Sequence, residues 1–426
     1  MRVLLFAYYF PPDGGAGTQR PASFARHLPA HGVDCTVVTR TPPPQRNFFE
    51  PPDEGLLTQL RDRSRIVRTA SSGDDFDGWL REVHATGDRA IRGHRPDVLL
   101  VTMSPFRLWP VVEALASAHG LPVVADLRDP WALDGVLTFR TWWHWRAEFA
   151  RMRAMLRRAD GVVANTPECR RLFLEAAPRR AADRIAVIPN GWDAEDFAPP
   201  APRVEPGDQL RLVFTGSFLC APLYERDSLP GRLRRALRHR AEPIVASGRT
   251  PVHLLQALRL LRERGSAAAA AVRFVSVGQT DPWLERCVAE SGVQDRVELT
   301  GYQPHAATVA AMRTADALFL TLHGLPPGHR SRIVPGKTYE YLATGRPILG
   351  ALPAGDAREL VDASGRGFCA DPTDAGDLAQ ALERLHARWR QGEFAAAQTM
   401  PRLAEYERAH LAGRLAAFLS RVAGRA

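Results

Sequence analysis

Cysteine is scarce and scattered in this 426-residue chain: five residues, at 35, 169, 220, 287 and 369, with no CxxC pair. That pattern disfavours structural zinc and a disulfide framework, and it points to a reducing compartment. No window approaches the roughly 20 consecutive apolar residues of a spanning helix. Met1 leads directly into an apolar strand and a Pro-Gly loop with no Ala-x-Ala site, so a secretory leader is not expected. Lysine is nearly absent. Of 56 basic residues, Lys337 is a lysine and the rest are arginine. Polar low-complexity sequence is also too sparse for extended disorder.

What remains is a folding composition, 45% hydrophobic and 24% charged. At about 150 residues per domain it allows two or three domains with their own cores. The net charge of +9 invites a nucleic-acid or membrane reading. The arginine-for-lysine, alanine-rich bias, however, looks like genomic base composition. Nucleic-acid binding would also need aromatics stacked along a basic groove, and it is not expected.

Short apolar runs alternate with helical stretches along the chain. Val3 to Ala7 reads as a strand, Pro11 to Gly17 as a Gly-rich loop, Pro21 to Ala30 as a helix and Val33 to Thr39 as a second strand. Similar runs recur at Val98, Val123, Gly161 and Ile185. After a proline-rich stretch, APPAPRVEPG at 198–207, the pattern restarts at Leu210, Val272, Val297, Ala317 and Pro347. This is the signature of parallel sheets covered on both faces. The predicted fold class is α/β, two Rossmann-like doubly wound domains facing each other across a cleft. The expected domains are 1–197, a linker at 198–208, a second domain at 209–390 with an insertion about 219–247, and a helical segment 391–426 packing back on the first.

Gly14-Gly15-Ala16-Gly17 after the first strand brings backbone amides towards an anion. It is not a dinucleotide fingerprint: Arg20 occupies the third glycine position, and no acid ends the second strand at Thr39-Arg40-Thr41. Further on, Ser247-Gly248-Arg249-Thr250-Pro251 precedes an apolar-periodic helix. Thr250 suits the N-cap and Pro251 the first helical position, which would set Arg249 at a helix N-terminus suited to a phosphate. In the stretch 332–347, Lys337 and Glu340 lie three apart on one helix face. A chain that uses arginine elsewhere and keeps lysine here points to a steric need, because the two cations differ in shape and reach. Asp75-Phe76-Asp77 matches a metal-binding DxD only superficially and reads as surface; no metal site is expected.

These residues resemble a known family, the retaining GT-B-fold glycosyltransferases of family 4 (group 1). The marks are YYFPPDGGAGTQR near the N-terminus, LRDPW at 127–131, IPNGWD at 188–193 and VFTGSF at 213–218. They continue with GY at 301–302, GKTYEYLATGRPIL at 336–349 and GFCADPTDAGDLAQAL at 367–382, in the family's order over nearly the whole chain. The resemblance implies a C-terminal domain that holds a nucleotide-diphosphate sugar, an N-terminal domain that binds the acceptor, and transfer with retention. It implies that Glu340 binds the donor ribose and that Arg249 and Lys337 face the diphosphate. The backbone of Val334, Pro335, Gly336 and Lys337 would lie along that diphosphate, Gly15, Ala16 and Gly17 would close over it, and Gly216 and Tyr302 would border the nucleotide. The sugar is the substrate and no cofactor or metal is implied, since fixed cations can take the charge that develops on the leaving diphosphate.

The chain also departs from the family. The first position of its usual Glu-x7-Glu is Arg332, a change that bears on how the sugar is held. Arg128, followed by Asp129, stands where a histidine is usual; both are candidate acceptor-side groups. The family's first diphosphate-facing arginine falls near Ser217, leaving Arg249 alone or with Arg330 or Arg332. Two basic stretches are candidates for anionic lipid or a lipid-pyrophosphate acceptor. One is the insertion with Arg226, Arg232, Arg234, Arg235, Arg238, Arg240 and the Leu229, Leu233, Leu237 repeat. The other is Arg140 to Arg158 with Trp142, Trp143 and Trp145. A solvated charged face and a packed tryptophan cluster are the alternatives.

The functional expectation is a cytoplasmic glycosyltransferase, peripheral to the membrane's inner face. It would serve bacterial surface polysaccharide or lipid-linked glycan assembly, with a lipid-linked or small-molecule acceptor. The alternatives are a natural-product tailoring glycosyltransferase, a nucleotide-sugar epimerase or hydrolase, and a non-catalytic sugar-nucleotide-binding protein.

Overall fold

The computed structural model describes residues 1–43, 52–58, 60, 64–178, 182–218, 220 and 237–425. Two compact units divide the chain. The first comprises Met1–Asp134, Trp143–Gly191 and Ala404–Ala426; the second comprises Gly135–Trp142 and Trp192–Leu403. The division therefore falls at Gly191, ahead of the proline-rich stretch, which lies inside the second unit together with the excursion 135–142.

The first unit is built on a seven-stranded sheet in the order β3-β2-β1-β4-β5-β6-β7. Its strands are β1 (Arg2–Phe6), β2 (Asp34–Thr39), β3 (Arg65–Arg68), β4 (Val98–Met103), β5 (Val123–Leu127), β6 (Gly161–Ala164) and β7 (Ile185–Val187). Every pairing is parallel, for example Leu4 opposite Thr36 in β2 and Leu99 in β4. β4 and β5 are wholly buried, VLLVTM and VVADL, as a sheet covered on both faces requires. The final helix, Arg408–Val422, buries Leu411, Leu415, Phe418 and Leu419 in the same cluster as Val124 and Val163 of the sheet.

The second unit has a six-stranded parallel sheet ordered β10-β9-β8-β11-β12-β13. Its strands are β8 (Leu210–Thr215), β9 (Val272–Val277), β10 (Val297–Leu299), β11 (Ala317–Thr321), β12 (Ile348–Ala351) and β13 (Gly367–Ala370). The helix Ala375–Arg390 shows how sequence fixes these layers. Asp374 caps it by accepting from the Gly376 and Asp377 amides at 2.8 and 3.1 Å. Leu378, Leu382, Leu385 and Trp389 recur at helical spacing and pack into the sheet's core.

The first helix corrects the sequence reading. It runs Ala16–His27 from Gly15, with Pro21 inside it rather than at its start. Because proline has no N–H, the carbonyl four residues back, that of Gly17, has no intrahelical donor; the Arg128 Nη1 donates to it instead. The helix after Arg249 starts at Val252, one residue later than expected, with the Thr250 hydroxyl accepting from the Val252 amide at 3.3 Å. In the terminal segment 391–426 the α-helix starts only at Arg408, after the helix Ala375–Arg390 has ended. Asp75 is the exposed N-cap of the helix Phe76–Gly93, accepting from Gly78 N at 3.0 Å, and Asp77 pairs with Arg107.

Candidate functional site

In each sheet the strand order reverses once, between β1 and β4 and between β8 and β11. Open parallel sheets bind ligands outside the strand carboxyl ends at such points. The loops there are Tyr8–Gly15 after β1 and Gly216–Phe218 after β8, which hold the candidate glycines.

In the second unit the site is assembled around Lys337. The helix Gly336–Thr344 starts after buried Val334 and after Pro335, and a methyl group on Gly336 would meet open space within 4 Å. Lys337 donates from Nζ to the Thr215 carbonyl at the end of β8, and its Nζ stands 3.9 Å from the Phe214 ring centre. Burial pushes the Lys337 ammonium down to about 7; the Arg249 charge adds to that, and Glu340, three residues on, opposes it. Lys337 thus feels both the Arg249 and the Glu340 charge. One turn along, buried Tyr341 locks the helix to β8. Its hydroxyl accepts from the Thr215 amide at 2.9 Å and lies 3.1 Å from the Thr215 hydroxyl.

Three strand ends are stacked beside this group. The Gly216 amide donates to the Val277 carbonyl at 2.8 Å, and the Gly278 amide to Gly301 at 3.1 Å. Gly278, at φ +154°, passes so close that a Cβ would lie 2.1 Å from the Gly216 oxygen. Tyr302 follows, with 53% of its surface exposed. Gly278 was not among the sequence candidates; a glycine directly after an apolar strand was the available signal.

Arg249 ends the turn Ala246–Arg249, which is pinned against β11. Thr321 Oγ1 donates to the Gly248 carbonyl, and Val245 and Gly324 exchange backbone bonds at 2.9 Å. Beside it is His323, buried at 2% exposure and pushed down to about 4 by burial and by Arg249, Arg240 and Arg332, so it is neutral at pH 7. Arg332 lies 3.6 Å from the buried Glu242 carboxylate, whose other oxygen meets His329 Nδ1 at 3.1 Å. Sequence reading missed Glu242 and His323, which lie outside any motif. Arg330 pairs with exposed Glu359 at 2.7 Å on the surface.

In the first unit, Gly15 has φ +84° and Ala16 begins the helix. A Cβ on Gly17 would meet the Tyr9 ring at 3.2 Å and Arg128 Nη1 at 3.3 Å. Asn165 Nδ2 donates to the Arg128 carbonyl at 3.0 Å, while its own Oδ1 and the Arg128 Nε are buried without partners. Arg128, Gly17 and Asn165 therefore form one cluster at the ends of β1, β5 and β6, and Asp129 follows Arg128 in the chain. Beneath them Arg20 binds Asp126 through Nε and Nη2 and reaches the Pro189 carbonyl at 2.8 Å. The residue that broke the dinucleotide fingerprint is thus a buried structural arginine.

Of the basic insertion, Arg226, Leu229, Arg232, Leu233, Arg234 and Arg235 lie outside the described residues; Leu237, Arg238 and Arg240 lie within them. Among the described residues, no group of three or more His, Cys, Asp or Glu is placed to hold a metal, and no helix is long and apolar enough to cross a membrane.

Comparison with known proteins bears on these sites. The family model described as Glycosyltransferase Family 4 matches residues 18–196, and that described as Glycosyl transferases group 1 matches residues 245–388. Together they cover well over half of the chain. A putative colanic acid biosynthesis glycosyltransferase, WcaL, of Escherichia coli (strain K12) is 30% identical over 128 residues, 30% of this chain and 30% of that protein. Two solved structures match over the full length of this chain. Sucrose-phosphate synthase from Thermosynechococcus elongatus has a TM-score of 0.64 at 16% identity, with 97% of its chain covered. Anabaena Alr3699/HepE in complex with UDP has a TM-score of 0.58 at 16% identity, with 98% covered.

Proposed function

The chain belongs to the family 4, group 1 glycosyltransferases and has their GT-B fold, two parallel-sheet α/β domains; from that premise we propose that it moves a hexose or related sugar from a nucleotide-diphosphate donor to an acceptor hydroxyl, with retention. The observation that carries this reading is the group of Lys337, Arg249 and Glu340 at the end of β8. Cleaving a sugar–phosphate bond leaves negative charge growing on a diphosphate. A lysine and an arginine fixed in a partly desolvated site stabilise that charge more than they stabilise the ground state, with no reorganisation during the reaction. Gly336 faces open space at the start of a helix, where backbone N–H groups favour an anion. In this reading these cations do the work without a metal.

Glu340 accepts the ribose hydroxyls, Tyr302 and Gly216 border the nucleotide, and Arg332 with Val334, Pro335 and Gly336 lines the sugar-diphosphate. Gly15, Ala16 and Gly17 close over the phosphates, and Arg128 and Asp129 serve the acceptor. The HepE complex with UDP supports a nucleotide sugar as the donor. Likeness to the colanic acid enzyme supports a place in bacterial surface polysaccharide or lipid-linked glycan assembly. The acceptor is then lipid-linked or small, and the enzyme acts in the cytoplasm at the inner face of the membrane.

A thermal-shift screen against UDP, GDP, dTDP and ADP, with Lys337→Ala and Glu340→Ala alongside, tests the donor site. One nucleotide should raise the parent's melting temperature, and the rise should be much smaller in both variants. No shift with any nucleotide would remove the reading. Donor turnover without an added acceptor would instead favour an epimerase or hydrolase.

A further inference from the structure

Large hydrophobic side chains left in solvent are few among the described residues: Leu137, Trp142, Trp143, Leu237, Val245 and Tyr302. All but Tyr302 come from two stretches, 137–143 and 237–245. The structure ties those stretches side by side. Phe139 and His239 exchange backbone hydrogen bonds at 2.8 and 3.0 Å. The Arg240 Nη1 donates to the Gly135 and Val136 carbonyls at 3.1 and 2.9 Å. A Cβ on Gly135 would meet the Ile244 side chain at 2.9 Å, so the Gly135 backbone packs directly against it.

The charges on this strip have one sign. Arg140, Arg146, Arg238 and Arg240 are exposed. Between Gly135 and Ala147 there is no acidic residue, and the acid of 237–245, Glu242, is buried and engaged by Arg332 and His329. The next acid along the helix Trp142–Arg158, Glu148, is taken by Trp131 and Arg151. Trp145 is not part of the exposed set: its Nε1 donates to the Ala132 carbonyl at 2.8 Å and its ring stacks on Phe149. Trp143 is the most exposed of the set, at 72%, with Leu237 next at 60%.

We propose that the strip of Leu137, Arg140, Trp142, Trp143, Leu237 and Arg238 docks the protein on an anionic lipid surface. Its chemistry fits that partner: tryptophan and leucine enter the headgroup boundary, while arginine stems lie along it and their guanidinium groups meet lipid phosphates. The proposal rests on the reading above that the acceptor is lipid-linked, and it fixes which face approaches the membrane.

The test is co-sedimentation of the full chain with vesicles of phosphatidylcholine alone and of phosphatidylcholine with about one third phosphatidylglycerol. The parent should sediment with the anionic vesicles and stay in solution with the neutral ones. Each arginine near such a surface multiplies partitioning about fivefold, so Arg140→Gln/Arg238→Gln should lose on the order of twentyfold. Trp143→Ser, at the most exposed position of the set, should also weaken binding. Both variants should keep the parent's melting temperature and its nucleotide-induced shift. The proposal is overturned if the variants bind as the parent does, or if neutral and anionic vesicles bind alike. It is equally overturned if the parent binds neither, or if Trp143→Ser abolishes a self-association seen by sedimentation velocity, which would make the face an interface between copies. A nucleotide shift without vesicle binding would remove this face and leave the transferase reading intact. Vesicle binding without any nucleotide shift would do the reverse.

Discussion

A methyl group placed on Gly216 would stand 2.7 Å from the Nζ of Lys337. Gly216 also has φ +110°, a conformation that side chains of L-residues rarely adopt. The positive φ strains any side chain here, and an added methyl also displaces the end of the Lys337 side chain. The expected result of Gly216→Ala is a stability loss of about 1–3 kcal/mol, from backbone strain alone. Nucleotide affinity should fall at least about tenfold, because Lys337 must move off the Thr215 carbonyl; ten-fold corresponds to about 1.4 kcal/mol. Isothermal titration with the nucleotide found in the thermal screen reads the second number. Unchanged affinity in a folded variant would show that the placement of Lys337 does not matter to the ligand.

The depressed Lys337 titration gives a signed pH dependence. Near pH 7 the ammonium of the free protein is about half neutral. A bound diphosphate favours the charged form, so binding raises the pKa and draws in a proton. Affinity is then full below about pH 7 and falls above it, by up to about tenfold per unit, until the bound-state pKa is passed. Calorimetry near pH 8 in buffers of differing ionisation enthalpy should show proton uptake on binding. Lys337→Ala should show none. Uptake that persists in Lys337→Ala would assign the proton elsewhere.

The first unit depends on a pair of which one member, Asp126, lies outside every motif. Arg20 and Asp126 are buried and meet at 2.6 Å, and removing one partner leaves the other's charge stranded. Arg20→Met should cost about 3–5 kcal/mol in denaturant unfolding. Arg20→Met with Asp126→Leu should cost clearly less than the two single changes summed. Additive costs would mean that the carboxylate and guanidinium do not depend on each other.

What the sequence made legible was whatever recurs locally. Apolar runs such as VLLVTM at 98–103 announced the strands, and the restart at Leu210 announced the second sheet. The lone lysine announced its own site, because a residue type avoided everywhere else is a signal in itself. Partners far apart in the chain were not legible. Glu242 meets Arg332 ninety residues on, and Asp126 of β5 answers Arg20 of the first helix; only the folded chain brings them together. Unit boundaries were obscured for the same reason, since the chain leaves the first unit at Gly135–Trp142 and returns to it at Ala404. Proline misled at the first helix, where Pro21 marked no start, while the proline-rich stretch begins seven residues past the division at Gly191.

Pro21 also links a helix defect to a candidate catalytic residue. The Gly17 carbonyl, left without its intrahelical donor, is taken by Arg128, so this arginine has a structural task beside any acceptor-side one. Pro21→Ala supplies the missing N–H and separates the two. In the parent, Arg128→Ala takes the charged donor from the part-buried Gly17 oxygen and should cost about 1–3 kcal/mol in stability. In the Pro21→Ala background that loss should shrink by about 1 kcal/mol or more, because the helix now satisfies the oxygen itself. If Arg128 also meets the acceptor, its removal should lower turnover equally in both backgrounds, since the helix repair restores no cation. Stability costs that add without coupling would break the link between the proline and the arginine. Turnover recovered by Pro21→Ala would reduce Arg128 to a helix prop and leave acceptor chemistry to Asp129.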